Sequence, residues 1–327
     1  MISYKSIIQF WDKFFFSPKP TEGIALFRIV WISIISLYFL FDLENLATFY
    51  GPHAILSMET VKSGFSKPHI NVFQIFGVSY STLYLFMGIY ALSLFTSLIG
   101  FYTRTSLIVV TICMVSLHQR NIWLLSSSET LMRIVSILLV CSPCGHSLSI
   151  DSFLSKRSGK PLQKIWAPWA LRLIQIQLSV VYVWTVWHKL KGDNWIDGTA
   201  VYYATRLESM TNFPMPFVLD SILFIKLATW GALVLEFALG TLVWIKEFRK
   251  PVIFAGLFFH LGIEYMMSIP FFEIIMMALI LNYFTPEELK AFVDQMRESF
   301  VKGVNDSPLA SGIKKKLTSI TPEVPTV

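Results

Sequence analysis

His188 and Lys189 close an apolar run that extends from Ala167 to Trp187, and the chain continues Leu190-Lys191-Gly192-Asp193-Asn194-Trp195-Ile196-Asp197-Gly198. An imidazole and a primary amine at the end of a membrane-length helix cost free energy there, so they mark a functional site with a partner nearby. A desolvated lysine tends to lose its proton, which turns a cation into a general base. Lys189 is therefore the first candidate for catalysis, with His188 beside it.

A second set of ionisable residues lies along the apolar segments. His260 and Glu264 stand four residues apart and share one helix face. A carboxylate so placed sets the imidazole tautomer. The spacing is also half of a zinc site, but no second His or Cys stands at ligand spacing, and no metal is expected. Both residues converge with His188 and Lys189 on one outward-facing pocket that Trp195 adjoins. Arg28, Arg133, Arg172, Glu236 and Glu273 also fall in or at the ends of apolar runs, where charges must pair or line a wet cavity. Their depths match Glu236 with Arg28 or Arg172, and Arg133 with Glu273, as structural ion pairs. A proton or anion path is the sharper alternative. Ser126-Ser127-Ser128-Glu129 reads as a helix N-cap, or as a turn in which Ser128 and Glu129 bind a ligand head group. Cys141-Ser142-Pro143-Cys144 has a redox spacing, but no thioredoxin-like pattern surrounds it, and a helix end broken by Pro143 accounts for it.

The elements that must position these groups follow from composition. Of 327 residues, 54% are hydrophobic and only 15% charged, against about 25% charged in a soluble domain. The fold class is an all-α integral membrane protein. Apolar runs predict a polytopic bundle of about eight transmembrane helices, at residues 21–43, 79–101, 105–118, 129–142, 167–189, 222–245, 251–267 and 269–284. The third and fourth are short for a hydrocarbon core about 30 Å thick. Residues 1–20 form an interfacial amphipathic helix, with Ile7, Ile8, Trp11, Phe14 and Phe15 on one face. Residues 286–327 read as a tail that starts as a charged helix and is disordered from Ser307. Lys and Arg cluster in alternate connections and in the tail, which sets both termini in the cytoplasm. Lys189 then faces the extracytoplasmic side. No basic stripe with interleaved aromatics occurs, so nucleic acid is excluded as a partner. Three cysteines make no disulfide framework.

Several motifs recur in a fixed order: Leu26-Phe27-Arg28-Ile29, Phe49-Tyr50-Gly51-Pro52, His118-Gln119-Arg120-Asn121, His188-Lys189-Leu190, Trp195-Ile196-Asp197-Gly198, Phe259-His260 with Glu264, and Phe271-Phe272-Glu273. In this order the chain resembles the HTTM (horizontally transferred transmembrane) family over about residues 10–285. The best-known members are the vitamin K-dependent gamma-carboxylases. Their lysine deprotonates a reduced quinone, and oxygenation of that anion makes the stronger base that acts on a peptide glutamate. Lys189 matches the family lysine. The chain departs from the carboxylases by one extra residue between Leu190 and Trp195. It has Ser127-Ser128-Glu129 where they carry a catalytic histidine, and it is expected to lack their large soluble domain. In these respects it is more similar to short bacterial members, among them proteins that mature secreted peptide toxins.

The resemblance implies a gamma-carboxylase-like protein of the bacterial inner membrane, with a reduced, vitamin K-like quinone as cofactor and membrane lipid and a small secreted peptide as partners. Lys189 and His188 are the expected catalytic pair, and His260, Glu264, Ser128, Glu129 and Trp195 the pocket. The alternative is a non-enzymatic maturation, export or immunity factor that binds a secreted peptide or lipid. Lys189 would then anchor a head group at the interface.

Overall fold

The computed structural model describes residues 4–63, 71–212 and 220–305, and every element of more than two residues in it is helical. The expected disorder from Ser307 lies outside the described residues. Helix α1 (Tyr4–Phe16) buries none of its residues, and only its last turn is anchored, with Phe14 against Trp244 and beneath the Arg172 guanidinium. Helix α2 (Glu22–Glu44) is the first long apolar helix. The short helices α3 (Leu46–Tyr50), α4 (Met58–Ser63) and α5 (Val72–Phe76) follow it, and the chain then enters α6 (Tyr80–Ile99). Ser79 caps α6 by accepting from the Thr82 amide, and α6 ends at Gly100.

Helices α7 (Thr103–Arg120), α8 (Ser127–Val140) and α9 (Ile150–Arg157) precede α10 (Trp169–Lys189). After α10 come α11 (Asp193–Ile196), α12 (Ala200–Ala204), α13 (Ile222–Gly240), α14 (Lys246–Met266), α15 (Phe272–Ile280) and α16 (Pro286–Asn305). The β1 (Lys19–Pro20) and β2 (Ile165–Trp166) segments pair antiparallel and tie the entry of α2 to the entry of α10. Helix α10 packs on α13, α8 and α15, while α2 packs on α6, α15 and α16. One apolar core runs through the bundle, with Trp31, Ile32, Met132, Val135, Ile275 and Leu279 at its centre.

The chain is an all-α membrane protein. Among the described residues, four helices, α2, α6, α10 and α13, are long and apolar enough to cross a bilayer. The other expected spans are helical but differ in kind. Thr, Ser, His and Gln side chains dilute α7, α8 has 14 residues, and α14 opens on Lys246, Glu247, Arg249 and Lys250. Helix α13 stops at Gly240 and not at residue 245, because the backbone of Thr241 leaves helical geometry and a 3-10 turn follows.

Buried arginines fasten the turns. Arg120, 1% exposed, donates to the carbonyls of Leu56 and Gly51, and Asn121 donates to that of Phe49. Those contacts pin the segment after α3 to the end of α7, and Tyr50 adds a 2.8 Å hydrogen bond to Asp42. Replacing Arg120 by Met should cost about 2–4 kcal/mol, because buried carbonyls lose their donors. Denaturant unfolding in detergent measures this. An unchanged midpoint would mean that the segment is held by apolar contacts alone.

Helix α16 docks by Val293 and by Leu289 against Gly23, and by two ion pairs, Lys19–Glu287 and Lys250–Glu288. Partial burial opposes ionisation of both carboxylates, but the lysines and the backbone N–H groups at the helix start outweigh it and hold them below the ordinary carboxylate range. Their contribution is present above the unfolded pKa and fades as pH falls through the folded one. Hydrogen exchange of the α16 amides should therefore accelerate as pH drops below about 4, after correction for intrinsic rates. Constant protection down to pH ~3 would assign the docking to Leu289 and Val293 alone.

Candidate functional site

Lys189 occupies the last turn of α10, yet it does not lie at the end of the bundle. Helix α13 is offset along α10. A Cβ on Gly240 would meet Val183 at 2.8 Å, so the C-terminal half of α13 packs beside the end of α10. The first half of α13 instead meets the segment after α10. Trp230 Nε1 donates to the Ile196 carbonyl, and the Val201 amide donates to Thr229 Oγ1, both at 3.2 Å. Gly198 makes this turn possible: its φ is +84°, and a Cβ there would lie 2.9 Å from Lys226 Cγ.

The offset sets Lys189 beside Glu236, well past the middle of α13. Lys189 Nζ donates to Glu236 Oε1 at 2.5 Å and sits 4.4 Å from the centre of the Trp195 ring. The Lys189 side chain keeps 21% of its exposure and that of Glu236 9%. Glu236 Oε2 is buried with no hydrogen-bond partner. The amine is thus held between a carboxylate and an aromatic face, with one acceptor lone pair left open.

Two turns before Lys189 on the same face of α10 stands Tyr182. Its hydroxyl lies 2.7 Å from His260 Nε2, and His260 Nδ1 is bonded to Glu273 Oε2. All three side chains are buried. An ionised carboxylate only accepts, so Nδ1 carries the proton toward Glu273 and the neutral imidazole accepts the Tyr182 O–H at Nε2. A hydroxyl aligned by an imidazole that is aligned by a carboxylate can pass or take a proton without water.

The pairings expected from sequence are redrawn. Glu264 does not orient His260: Glu273 reaches it from α15, while Glu264 Oε2 has no hydrogen bond and its backbone carbonyl accepts from Asn212. Glu236 meets neither Arg28 nor Arg172. Arg28 donates to the carbonyls of Cys144 and Leu148, and Arg172 to Gln175 Oε1 and the Phe14 carbonyl. Arg133 does not meet Glu273; it bonds to the Glu129 carbonyl and Thr130. Turn and helix-end carbonyls satisfy a guanidinium without burying a second charge. His188 is exposed and lies edge-on to Trp184, apart from Glu236. Cys141 is exposed and Cys144 buried, both as free thiols.

Ser126 and Glu129 form a capping box at the start of α8, with Ser128 Oγ accepting from Ser126. Tyr38 adds a 3.0 Å hydrogen bond to Glu129. His118 is buried beside Tyr38, and its Nδ1 has no partner. The Tyr38 ring packs 5.0 Å from Phe271, which precedes Glu273 by two residues. Tyr182 and Tyr38 are the residues that sequence reasoning passed over. A spacing of seven from Lys189 was the available signal for Tyr182; for Tyr38 it was a spacing of four from Asp42.

The HTTM domain family matches residues 16–287, and the chain belongs to that family. It is similar to "Uncharacterized protein YitO" of Bacillus subtilis (strain 168), at 28% identity over 134 residues. That match covers 39% of this chain and 43% of the relative, so the chain spans less than half the length of the curated relative it matches. No solved structure matches.

Lys189 and Glu236 should behave as a unit. Lys189→Met alone should destabilise by about 2–4 kcal/mol, because it strands a largely buried carboxylate, and adding Glu236→Leu should restore most of the loss. Unfolding of the four proteins of this double-mutant cycle in detergent gives the coupling. Additive losses would show that the two side chains do not depend on each other.

Proposed function

We propose that this HTTM-family membrane protein is gamma-carboxylase-like and uses Lys189 as a general base at the extracytoplasmic face of a bacterial inner membrane, with both termini in the cytoplasm and all eight predicted helices forming the bundle. The observation that carries the reading is the Lys189–Glu236 contact under Trp195. In a low-dielectric setting Glu236 can take the ammonium proton, which leaves a neutral amine facing the ligand.

The residues suit a reduced quinone. Its hydroxyl would supply the donor that Glu236 Oε2 lacks, and the Trp195 ring offers a flat surface for it. When bound, such a cofactor supplies an oxidisable hydroxyl and two electrons. The chain supplies the base, the orientation and a dry setting. Tyr182, His260 and Glu273 then hold the next proton site, two turns away on the same face of α10. A small secreted peptide is the substrate class that fits this reading.

A second reading has its own support. The ion pair holds Lys189 as a cation, and Trp195 and Lys189 together make an interfacial anchor for a peptide or lipid head group. The protein would then be a non-enzymatic maturation, export or immunity factor.

Oxygen uptake by the purified protein supplied with chemically reduced naphthoquinone separates the two. Lys189→Arg keeps the charge but provides no neutral amine. Uptake should fall at least ~100-fold in that variant, the size of a general-base contribution. Equal uptake by wild type and Lys189→Arg would reject the base. Mass spectrometry of extracted small molecules supplies the second readout, a quinone favouring the enzyme and phospholipid alone the binding factor.

A further inference from the structure

Trp166 lies just ahead of α10, at the end of the bundle away from Lys189. There it helps to enclose a cavity of about 570 Å³, together with the α6–α7 turn, the turn after α8 and helix α9. One side of the cavity is apolar, formed by Leu107, Val140, Leu154 and Leu162. The other is polar, and its hydrogen-bond inventory is lopsided. Among the described residues, the only guanidinium in its lining is that of Arg104, which is exposed and makes no ion pair with them.

The aliphatic hydroxyls around it have spent their protons inward, and the Tyr102 hydroxyl stands exposed at the lip. Thr103 Oγ1 donates to Asp151, Ser142 to the Leu139 carbonyl and Ser155 to the Lys160 carbonyl. A carbonyl only accepts, so the contact between His146 Nδ1 and the Gln163 carbonyl requires the proton on Nδ1. That leaves Nε2 as an acceptor, with the ring edge-on to Trp166. Asp151 accepts from the Tyr102 and Thr103 amides. Tyr102, at the lip, holds a left-handed φ of 45°, a conformation that costs free energy and collects at ligand sites.

The wall therefore offers one cation and several acceptors beside an apolar surface at the membrane-entry end of α2. Its complement has one anion, one cation bearing N–H donors, and hydrocarbon chains. We propose that this cavity binds a phosphoethanolamine-headed lipid, with the phosphate on Arg104, the ammonium against His146 Nε2 and neighbouring acceptors, and the chains along Leu107 and Leu154. A phosphocholine head has no N–H to give, and a phosphoglycerol head has no cation.

Native mass spectrometry of the full chain, exchanged into equimolar phosphatidylethanolamine, phosphatidylcholine and phosphatidylglycerol, tests this. Phosphatidylethanolamine should be retained about tenfold over the others, the size expected from charge-assisted hydrogen bonds. Arg104→Gln, at an exposed position, should abolish the preference. Leu162→Trp should block retention by filling the cavity from its apolar side, with circular dichroism confirming that both variants are folded. Equal retention of phosphatidylcholine, or an unchanged preference in folded Arg104→Gln, overturns the proposal. Soluble glycerophosphoethanolamine should not compete at matched concentration. If it does, the site takes a free head group and the lipid assignment fails.

Discussion

A charged group packed among apolar helices has no water to turn to, and each one left without a partner costs several kcal/mol. This chain meets that demand by separating its arginines from its carboxylates. Arginine stays charged and brings five donors in a fixed fork. Its terminal nitrogens donate to carbonyls that helix ends leave orphaned, while Nε of Arg28 and Arg120 stays without a partner. Arg28 does this on the turn after α8, Arg172 on the last turn of α1 and Arg120 on the segment after α3. Each is a stitch between distant parts of the chain. The carboxylates are then left for lysine, histidine and tyrosine, whose protons can move.

That division explains what was legible in the sequence. Every expected apolar run is at least partly helical, but among the described residues only α2, α6, α10 and α13 are long and apolar enough to cross a bilayer. The capping box at Ser126–Glu129 follows from four consecutive residues, and local signals of that kind survive folding. The partners of Glu236 and Glu273 did not follow. Depth along a helix was taken from residue count, as if all helices began at one plane. Helix α13 is displaced along α10, and its early end at Gly240 moves Glu236 up to Lys189. His260 had a carboxylate available at i+4, yet the one it uses comes from α15. Such choices depend on helix rotation and offset, which a single sequence does not encode in any short window.

The same displacement changes what Lys189 means. At a bundle end it would be a lysine reaching for the interface, a common and inexpensive arrangement. Beside the last turns of α13, with Glu236 on one side and Trp195 on the other, it is a largely buried group with a committed partner. Gly198 lets α13 close on the segment that carries Trp195, since its left-handed φ and missing Cβ leave room for Lys226 and Trp230, and Trp230 bonds to Ile196.

Stability does not require such a pair. Apolar side chains of similar volume would fill the Lys189–Glu236 contact at equal or lower free energy, because desolvating two charges consumes most of their attraction. The same argument applies to Tyr182, His260 and Glu273, three buried polar side chains where three apolar ones would pack. Both clusters lie along one face of α10, with Lys189 and Tyr182 two turns apart on it. Two costly polar groupings on one helix face are the arrangement expected of a functional site. The arginine stitches supply the contrast. They too are charged and largely buried, but each ends on carbonyls, which take no proton, so they tie distant turns together and do nothing more.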